Sequence, residues 1–318
     1  MSGSSSERVH VAVGVIFNDD GEVLISRRAK DTHQGDLWEF PGGKLETGES
    51  VQAALVRELK EELGIQVQET EPLIRIHYDY PDKSVLLDVR RVSRFQGIAR
   101  GREGQPLRWF DPGKLKAQDF PAANAPIIKA LQLPHEYLIT GKFSDRDDFI
   151  RRLQAALDSG IRLLQFRPRT ELSEQAYADL VEQAVNLSRR CGARVLLNTS
   201  IDEFEKHDAD GLHMNSDVLM ACEQRPIGED KWLSASVHNE TELAQANNIG
   251  VDFIMLSPVL PTQSHPGAPT LGWDRFYALT EKSFSPVFAL GGMDASHLKQ
   301  AREKGAQGIA AITAFWGR

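Results

Sequence analysis

The sequence predicts two folds in one chain, an α+β domain over residues 1–133 and a (β/α)8 TIM-type barrel over residues 134–318. The first observation is length, because 318 residues exceed what a single domain usually needs. The second is that strand-like runs and two helical segments are mixed as far as Leu133. The third is that, from Tyr137 onward, short apolar runs alternate with helical segments, which is typical of parallel strands.

In the first domain, two apolar runs with strand character come first, "VHVAVGVIF" and "EVLISRR", joined by the turn-like "NDDG". A helix follows, because Val51, Leu55, Leu59 and Leu63 recur every four residues and form one apolar stripe. Gly64 is a suitable C-terminal stop for this helix. Further strands are expected at "LIRIHYDY", "VLLDVRRVSRFQG" and "LRWFD", and a last helix at about 125–132.

In the second domain, eight apolar runs have the length of buried strands: "YLITG", "LLQFR", "VLLNT", "GLHM", "LSASVH", "FIMLSPV", "VFALGG" and "GIAAIT". Eight alternations of strand and helix predict a closed barrel with its ligand site at the carboxyl ends of the strands.

The composition is that of an ordinary globular protein, 41% hydrophobic and 26% charged. No apolar run approaches the ~20 residues of a membrane span, and the start, "MSGSSSER", has no signal-peptide core. Cys191 and Cys222 are the only cysteines, which argues against a disulfide framework or a cysteine metal cage. We therefore expect a cytoplasmic protein that has no membrane partner.

Net charge also limits the partners. The chain has a net charge of −8 and a pI of about 5.6, without a block of Lys and Arg. A nucleic acid polymer is therefore not an expected partner. A small phosphorylated ligand is compatible with this charge, because a divalent metal neutralises both carboxylates and phosphates.

The predicted helix carries an unusual acidic cluster. Glu58, Glu61 and Glu62 are spaced three and four residues apart, so they project from one face. Clustered carboxylate oxygens are ligands that Mg²⁺ or Mn²⁺ prefers. Arg57 is placed to orient Glu61, and the Gly42–Gly43 turn is able to bring backbone carbonyls close to the metal. The alternative is a solvated acidic helix face that follows a glycine turn.

The complete spacing resembles the Nudix box. It reads Gly43, five residues, Glu49, seven residues, and then "RELKEELGI" from Arg57. The resemblance implies an α/β/α sandwich and Mg²⁺-dependent hydrolysis of a nucleoside diphosphate linked to another group. It also implies catalytic roles for Arg57, Glu58, Glu61 and Glu62, with metal ligands that include Gly42 and Gly43.

Within the Nudix family, residues 8–133 are similar to the MutT type, the 8-oxo-dGTP diphosphatases. The stretches that carry this are "SRRAKDTHQGDLWEFPGGK", "YDYPDKSV", "GREGQPLRWF" and "DFPAANAPII". The resemblance implies that Glu103 is a further metal or base carboxylate and that Asn124 reads the purine. The implied nucleotide-binding residues are Arg28, His33, Glu39, Phe40, Pro41, Gly42, Gly43 and Asn124.

The implied reaction converts 8-oxo-dGTP to 8-oxo-dGMP and diphosphate, which prevents mutagenic incorporation. An asparagine suits this purine because its amide has both a donor and an acceptor for the O6/N7–H edge. Alternatives exist for single residues. Arg28 could be a surface charge, and His33 could be a solvated loop residue. Asn124 could cap the helix that begins at 125. Trp38 is expected to pack against neighbouring side chains rather than to stack on a base.

The barrel segment resembles thiamine phosphate synthase and its TenI relatives. The implied ligand residues lie at strand ends: Gln165, Arg167, Arg169, Asn198, His213, His238, Thr262, His265, Gly291, Gly292 and Thr313. Glycines 291 and 292, with Thr313, correspond to a phosphate cup built from backbone N–H groups.

The departures from that family concern its metal. Thr199 and Val218 stand where the synthase has acidic metal ligands, and Arg169 and His265 replace lysines. We therefore expect a barrel that binds a phosphorylated thiazole or pyrimidine, or that has altered thiamine-related chemistry. One alternative is a bifunctional thiamine-pathway enzyme, a thiamine phosphate synthase or thiazole tautomerase with a Nudix diphosphatase. Another is a non-catalytic binding module.

Overall fold

The computed structural model describes residues 9–31, 34–80, 83–168, 171–262, 267 and 269–317. The chain divides into two compact units, Met1–Gln132 and Leu133–Arg318. No described helix is both long enough and apolar enough to cross a bilayer.

The first unit contains seven described strands and two α-helices. The strands are β1 Val9–Ile16, β2 Val23–Arg27, β3 Trp38–Glu39, β4 Gly42–Lys44, β5 Gln66–Asp79, β6 Ser84–Gln96 and β7 Leu107–Phe110. The helices are α1 Val51–Leu63 and α2 Ala125–Gln132, and short 3₁₀ turns occupy Pro112–Lys114, Ala117–Asp119 and Ala122–Asn124.

The strands form a mixed sheet in the order β4-β1-β6-β5 and an antiparallel sheet in the order β3-β2-β7. Alternate side chains of β1 point to opposite faces of the mixed sheet. Ala12 and Ile16 pack with Leu55 and Leu59 of α1, whereas Val13 and Val15 share the other core with residues of α2. The two helices therefore cover opposite faces, and the predicted α/β/α sandwich is confirmed.

The second unit is a closed barrel of eight parallel strands, in the order β8-β9-β10-β11-β12-β13-β14-β15 and back to β8. The strands are β8 Glu136–Ile139, β9 Leu163–Phe166, β10 Arg194–Asn198, β11 Gly211–Met214, β12 Trp232–Val237, β13 Phe253–Leu256, β14 Val287–Leu290 and β15 Gly308–Ala311. The helices are α3 Arg146–Asp158, α4 Glu174–Arg190, α5 Ile201–Phe204, α6 Ser216–Ala221, α7 Glu240–Ile249, α8 Gly272–Thr280, α9 Leu298–Glu303 and α10 Thr313–Trp316, with a 3₁₀ turn at Ala295–His297.

Two layers of apolar side chains stabilise this barrel, and the predicted TIM-type fold is confirmed. Tyr137, Phe253 and Phe288 belong to one buried cluster, in which their rings contact one another. Residues one step along the same strands, such as Leu138 and Ile254, pack in the other cluster with the helices. This alternation leaves the carboxyl ends of the strands free to carry polar side chains.

Candidate functional site

Helix α1 presents the acidic cluster because its other face is buried. Ser50 caps its N-terminus by accepting a hydrogen bond from the N–H of Ala53, and Gly64 ends it in the left-handed conformation with φ of 73°. The buried residues are Ala54, Leu55, Leu59 and Leu63. Glu58 and Glu62 are consequently half-buried at the edge of the contact, and Glu61 is exposed.

Arg57 organises the carboxylates on this helix. Its guanidinium binds Glu49 through two nitrogens, at 3.0 and 2.8 Å, and Glu58 at 2.8 Å. It also reaches the carbonyl of Lys44 at 3.1 Å and Glu61 at 3.5 Å. The predicted contact with Glu61 is thus present, but the closer partners are Glu49 and Glu58. These partners raise the pKa of Arg57, and Arg57 in turn lowers the pKa of Glu49.

The glycine turn lies directly against the acidic helix. A Cβ atom at Gly43 would be 2.1 Å from the carboxyl carbon of Glu58, and one at Gly42 would be 2.1 Å from the carbonyl oxygen of Ala12. The N–H of Gly42 donates a hydrogen bond of 3.2 Å to Oε2 of Glu62. Only glycines therefore allow this approach, while the use of their carbonyls as metal ligands stays a prediction.

Glu62 is the electrostatic centre of the cluster. Burial raises its pKa to about 8, against the hydrogen bond from Gly42, and the like charges of Glu39, Glu58 and Glu103 add to the increase. Burial also raises the pKa of Glu39, an effect that its partner Arg28 opposes. Four carboxylates thus act on one another here, an all-oxygen donor set whose repulsion a divalent cation would relieve.

This donor set fits a divalent metal in chemistry. Among residues 9–31, 34–80, 83–168, 171–262, 267 and 269–317, however, no three carboxylate, imidazole or thiol side chains are grouped closely enough to hold an ion. Glu58 instead bonds to Arg57, and Glu39 bonds to Arg28. Binding a cation would require rotation of side chains toward Glu62.

The segment that follows β2 carries the predicted nucleotide-binding residues Arg28 and His33. Arg28 forms an ion pair with Glu39, and its backbone N–H donates to the carbonyl of Leu37 at 2.9 Å. Arg27 lies over the ring of Trp38, 5.5 Å from its centroid, which agrees with the expected packing role of Trp38. His33 lies outside the described residues.

Phe40 and Pro41 are part of the domain core. The ring of Phe40 is buried and stacks on Phe120 at 5.5 Å between centroids. The carbonyl of Pro41 accepts a hydrogen bond of 2.8 Å from the N–H of Gly14. Any contact of these two residues with a nucleotide would therefore involve their edges or their backbone.

Asn124 ends the 3₁₀ turn that precedes α2. Its N–H donates to the carbonyl of Pro121 at 2.8 Å, and its neighbours Ala123 and Ile127 are buried. Its side-chain amide has no hydrogen-bond partner in the part of the chain that the structure describes. The amide is thus not engaged as a cap of α2, and a half-buried donor and acceptor remain available.

Glu103 lies on an exposed turn beside the C-terminal end of α1. The neighbouring residue Gln105 bonds to the backbone of both Glu62 and Glu103. Sequence reasoning did not select Gln105. Its position in a glycine-rich turn that contains a predicted carboxylate is the only signal that could have indicated it.

In the barrel, polar side chains on four neighbouring strands, β9 to β12, form two hydrogen-bonded groups. His213 is fully buried and lies between the hydroxyls of Ser234 at 2.7 Å and Ser236 at 2.9 Å. Burial lowers its pKa to about 3, and the charge of Arg167 adds to this effect. Asn198 contacts Oε1 of Gln165 at 3.5 Å. His213 is therefore neutral, and it holds the two serines of β12 in place without facing solvent.

His238 differs from His213 because it is exposed at the end of β12. Its Nδ1 lies 2.8 Å from Oε2 of Glu242 and 3.1 Å from the hydroxyl of Ser216. Its backbone N–H also donates to Glu242 at 2.7 Å. The carboxylate therefore fixes the orientation of the imidazole.

The predicted phosphate cup contains two glycines in the left-handed region, Gly291 with φ of 101° and Gly292 with φ of 67°. A Cβ atom at Gly291 would be 2.8 Å from Cα of Pro258. Thr313 is the first residue of α10, after β15. Thr262 is half-buried, and Arg169 and His265 lie outside the described residues.

Thr199 and Val218 stand at the two positions where acidic metal ligands were expected from the synthase family, and both have the surroundings of structural residues. Thr199 is half-buried between β10 and α5. Val218 packs against the barrel core, and its N–H donates a hydrogen bond of 2.9 Å to Oδ1 of Asn215, the residue that caps α6. Neither side chain offers a carboxylate to a metal.

Comparison with known proteins assigns a family to each half of the chain. The family model "NUDIX domain" matches residues 12–130, and the model "Thiamine monophosphate synthase" matches residues 136–315. The first half is 43% identical over 126 residues to the 8-oxo-dGTP diphosphatase of Escherichia coli, covering 40% of this chain and 98% of that protein.

Two further relatives agree with this division. The 8-oxo-dGTP diphosphatase of Haemophilus influenzae is 37% identical over 123 residues, 39% of this chain and 90% of that protein. The thiamine-phosphate synthase of Desulfitobacterium hafniense is 30% identical over 182 residues, 56% of this chain and 87% of that protein.

Proposed function

Because the chain belongs to the Nudix family through residues 12–130 and to the thiamine monophosphate synthase family through residues 136–315, we propose that its Nudix half hydrolyses 8-oxo-dGTP to 8-oxo-dGMP and diphosphate. The observation that carries this proposal is the acidic cluster around the half-buried Glu62, whose pKa is raised by burial and by the like charges of Glu39, Glu58 and Glu103. The curated relatives named 8-oxo-dGTP diphosphatase support the choice of substrate.

The proposed cofactor is Mg²⁺, with Mn²⁺ as a substitute. Glu58, Glu61, Glu62 and Glu103 would hold it, together with the carbonyls of Gly42 and Gly43. A divalent cation bound there supplies positive charge for the phosphates and makes water a stronger acid. The chain's own part is positioning: Arg57 holds Glu58, and the N–H of Gly42 holds Glu62.

Base recognition is assigned to Asn124. Its unpaired amide presents one donor and one acceptor group, which matches the O6/N7–H edge of 8-oxoguanine and not the N7 acceptor of guanine. Arg28, oriented by Glu39, would bind the phosphates, with His33 nearby in sequence. Since free nucleotides are the substrates, we place the protein in the cytoplasm.

The test is a substrate screen of the full chain with Mg²⁺ against 8-oxo-dGTP, dGTP, other nucleoside triphosphates and thiamine diphosphate analogues. We expect kcat/KM for 8-oxo-dGTP to exceed that for dGTP by roughly ten- to a hundredfold or more, since one mismatched hydrogen bond costs about 1–3 kcal/mol. Equal values for 8-oxo-dGTP and dGTP would contradict the proposal. Preference for thiamine-type diphosphates would instead support the thiamine-pathway alternative.

For the barrel we propose binding of a phosphorylated thiazole or pyrimidine without the coupling reaction. The left-handed glycines Gly291 and Gly292 support a backbone phosphate cup. Thr199 and Val218 supply no carboxylates, so a metal that would neutralise a leaving diphosphate has no acidic ligands at these positions. Calorimetry of the full chain with thiazole phosphate should detect binding, and a coupling assay with hydroxymethylpyrimidine diphosphate should form no thiamine phosphate.

A second candidate for the barrel is a thiazole tautomerase, which the pair His238–Glu242 favours. The imidazole is exposed and held through Nδ1 at 2.8 Å from the carboxylate, leaving Nε2 to exchange a proton with a ligand. Loss of tautomerisation in His238→Asn, with thiazole phosphate still bound, would support this candidate. Absence of tautomerisation by the wild-type chain would eliminate it.

A further inference from the structure

A short turn fastens the exposed Glu103 to the C-terminal end of α1. Gly104 has φ of 81°, and its N–H donates to the carbonyl of Gly101 at 3.3 Å, which reverses the chain. The N–H of Arg102 donates to the carbonyl of Glu62 at 2.9 Å. The turn that carries one acidic residue of the cluster is therefore anchored on the backbone of another.

Gln105 completes this attachment with both ends of its side-chain amide. Nε2 donates to the carbonyl of Glu62 at 3.2 Å, and Oε1 accepts from the N–H of Glu103 at 2.9 Å. Since one partner is an acceptor and the other a donor, only this orientation of the amide satisfies both. A Cβ atom at Gly101 would be 2.0 Å from the carbonyl oxygen of Gln105 and 3.0 Å from its Oε1, so the absence of a side chain at Gly101 leaves room for Gln105.

We propose that Gln105 is a positioning residue that holds the backbone of Glu103 beside that of Glu62, so that both carboxylates can reach one divalent cation. This inference rests on the proposed hydrolase function. Gln105 acts through the backbone of the two acidic residues, to which both of its hydrogen bonds go.

The physical reason is repulsion between like charges. Glu103 acts on Glu62 as a nearby negative charge, and the exposed turn would relieve this repulsion by moving away. The Gln105 bridge opposes that movement before the cation arrives. Because the turn is already ordered, cation binding does not have to supply the free energy of ordering it. Outer hydrogen-bonding partners act in the same way at other metal sites.

The test uses Mn²⁺ alone as the probe and the full chain without nucleotide. Gln105→Met keeps the length of the side chain but removes both hydrogen bonds. We expect its affinity for Mn²⁺, measured by electron paramagnetic resonance, to fall about tenfold or more. The matched control is Gln132→Met, which removes glutamine bonds to the carbonyls of Pro112 and Leu115 and should bind Mn²⁺ like the wild type.

A double-mutant cycle decides whether Gln105 works through Glu103. In the Glu103→Gln background, Gln105→Met should reduce Mn²⁺ affinity and kcat by less than about twofold, because the carboxylate that it positions is gone. Undiminished affinity in the single variant, an equal loss in Gln132→Met, or a fully additive loss in the double variant would each overturn the proposal.

The same measurements separate this inference from the function on which it rests. If the wild type hydrolyses 8-oxo-dGTP and Glu62→Gln does not, the proposed function stands whatever the Gln105 variants show. Normal Mn²⁺ binding by Gln105→Met in that case contradicts the positioning role alone.

Discussion

The N–H of Gly42 donates a hydrogen bond of 3.2 Å to the carboxylate of Glu62, across 20 residues of sequence. This bond joins the glycine turn to the acidic helix at the half-buried carboxylate of Glu62. Hydrogen bonding to the ionised form partly offsets the burial that raises the pKa of Glu62 to about 8. The turn is therefore part of the electrostatic site and not only a connection.

Substitution of the second glycine of the turn should displace a carboxylate. In Gly43→Ala the new methyl carbon would lie 2.1 Å from the carboxyl carbon of Glu58, so Glu58 must leave its place beside Arg57. We expect kcat/KM to fall about a hundredfold, the effect of a displacement of about 1 Å in an active site. Steady-state kinetics with 8-oxo-dGTP would measure it.

Gly48→Ala is the matched control for Gly43→Ala. Gly48 has φ of 81°, but a Cβ atom there would meet nothing within 4 Å. This variant should lose about 1 kcal/mol of stability from backbone strain while keeping its activity. Equal activity of the two variants would show that the space at Gly43 is unimportant.

Removing the amide of Asn124 should reduce discrimination rather than catalysis. Asn124→Ala loses the proposed hydrogen bonds to the purine edge but leaves the acidic cluster unchanged. The preference for 8-oxo-dGTP over dGTP should fall by roughly ten- to a hundredfold. If kcat/KM for both substrates falls by the same factor while the melting temperature also falls, Asn124 is a structural residue.

The barrel should lose stability in acid because of His213. The pKa of this residue is lowered from 6.5 to about 3 in the folded state. The unfolded chain therefore binds the proton first, so the stabilisation is present above pH 6.5 and is lost as the pH falls toward 3.

Urea unfolding between these two pH values tests the His213 prediction. The wild type should lose up to about 1.4 kcal/mol per pH unit more than His213→Gln, whose amide can bond to both serines without titrating. The comparison uses the slope against pH, so a constant loss of stability in the variant does not affect it. Identical slopes would show that His213 is not the responsible group.

Sequence reasoning identified both folds because their patterns are local. The eight barrel runs correspond to the strands β8 to β15, and the apolar stripe of α1 corresponds to its buried face. The buried face of α1 differs from the predicted stripe at one point, because Val51 is half-buried and Ala54 is buried. A step of four residues turns a helix by slightly more than one turn, so a strict four-residue repeat drifts off the contact face.

Other features depend on contacts distant in sequence, which no local pattern reveals. The short strands β3 and β4 contain residues such as Trp38 and Gly42 and exist because they pair with β2 and β1. The Gln105 bridge likewise joins side chain and backbone 43 residues apart. The Nudix spacing predicted that Glu58 and Glu62 lie on one face, but not that Glu39 would act on Glu62, nor that Arg57 would bind Glu49 and Glu58 more closely than Glu61.

The most direct measurement is the rate of 8-oxo-dGTP hydrolysis by the wild type and by Glu62→Gln, at limiting Mg²⁺. The glutamine keeps the shape of the side chain and removes the ionisable carboxyl group on which the charges of Glu39, Glu58 and Glu103 act. We expect 8-oxo-dGMP and diphosphate as products of the wild type and a loss of at least ~100-fold in kcat for the variant. Turnover by Glu62→Gln at the rate of the wild type would contradict this expectation.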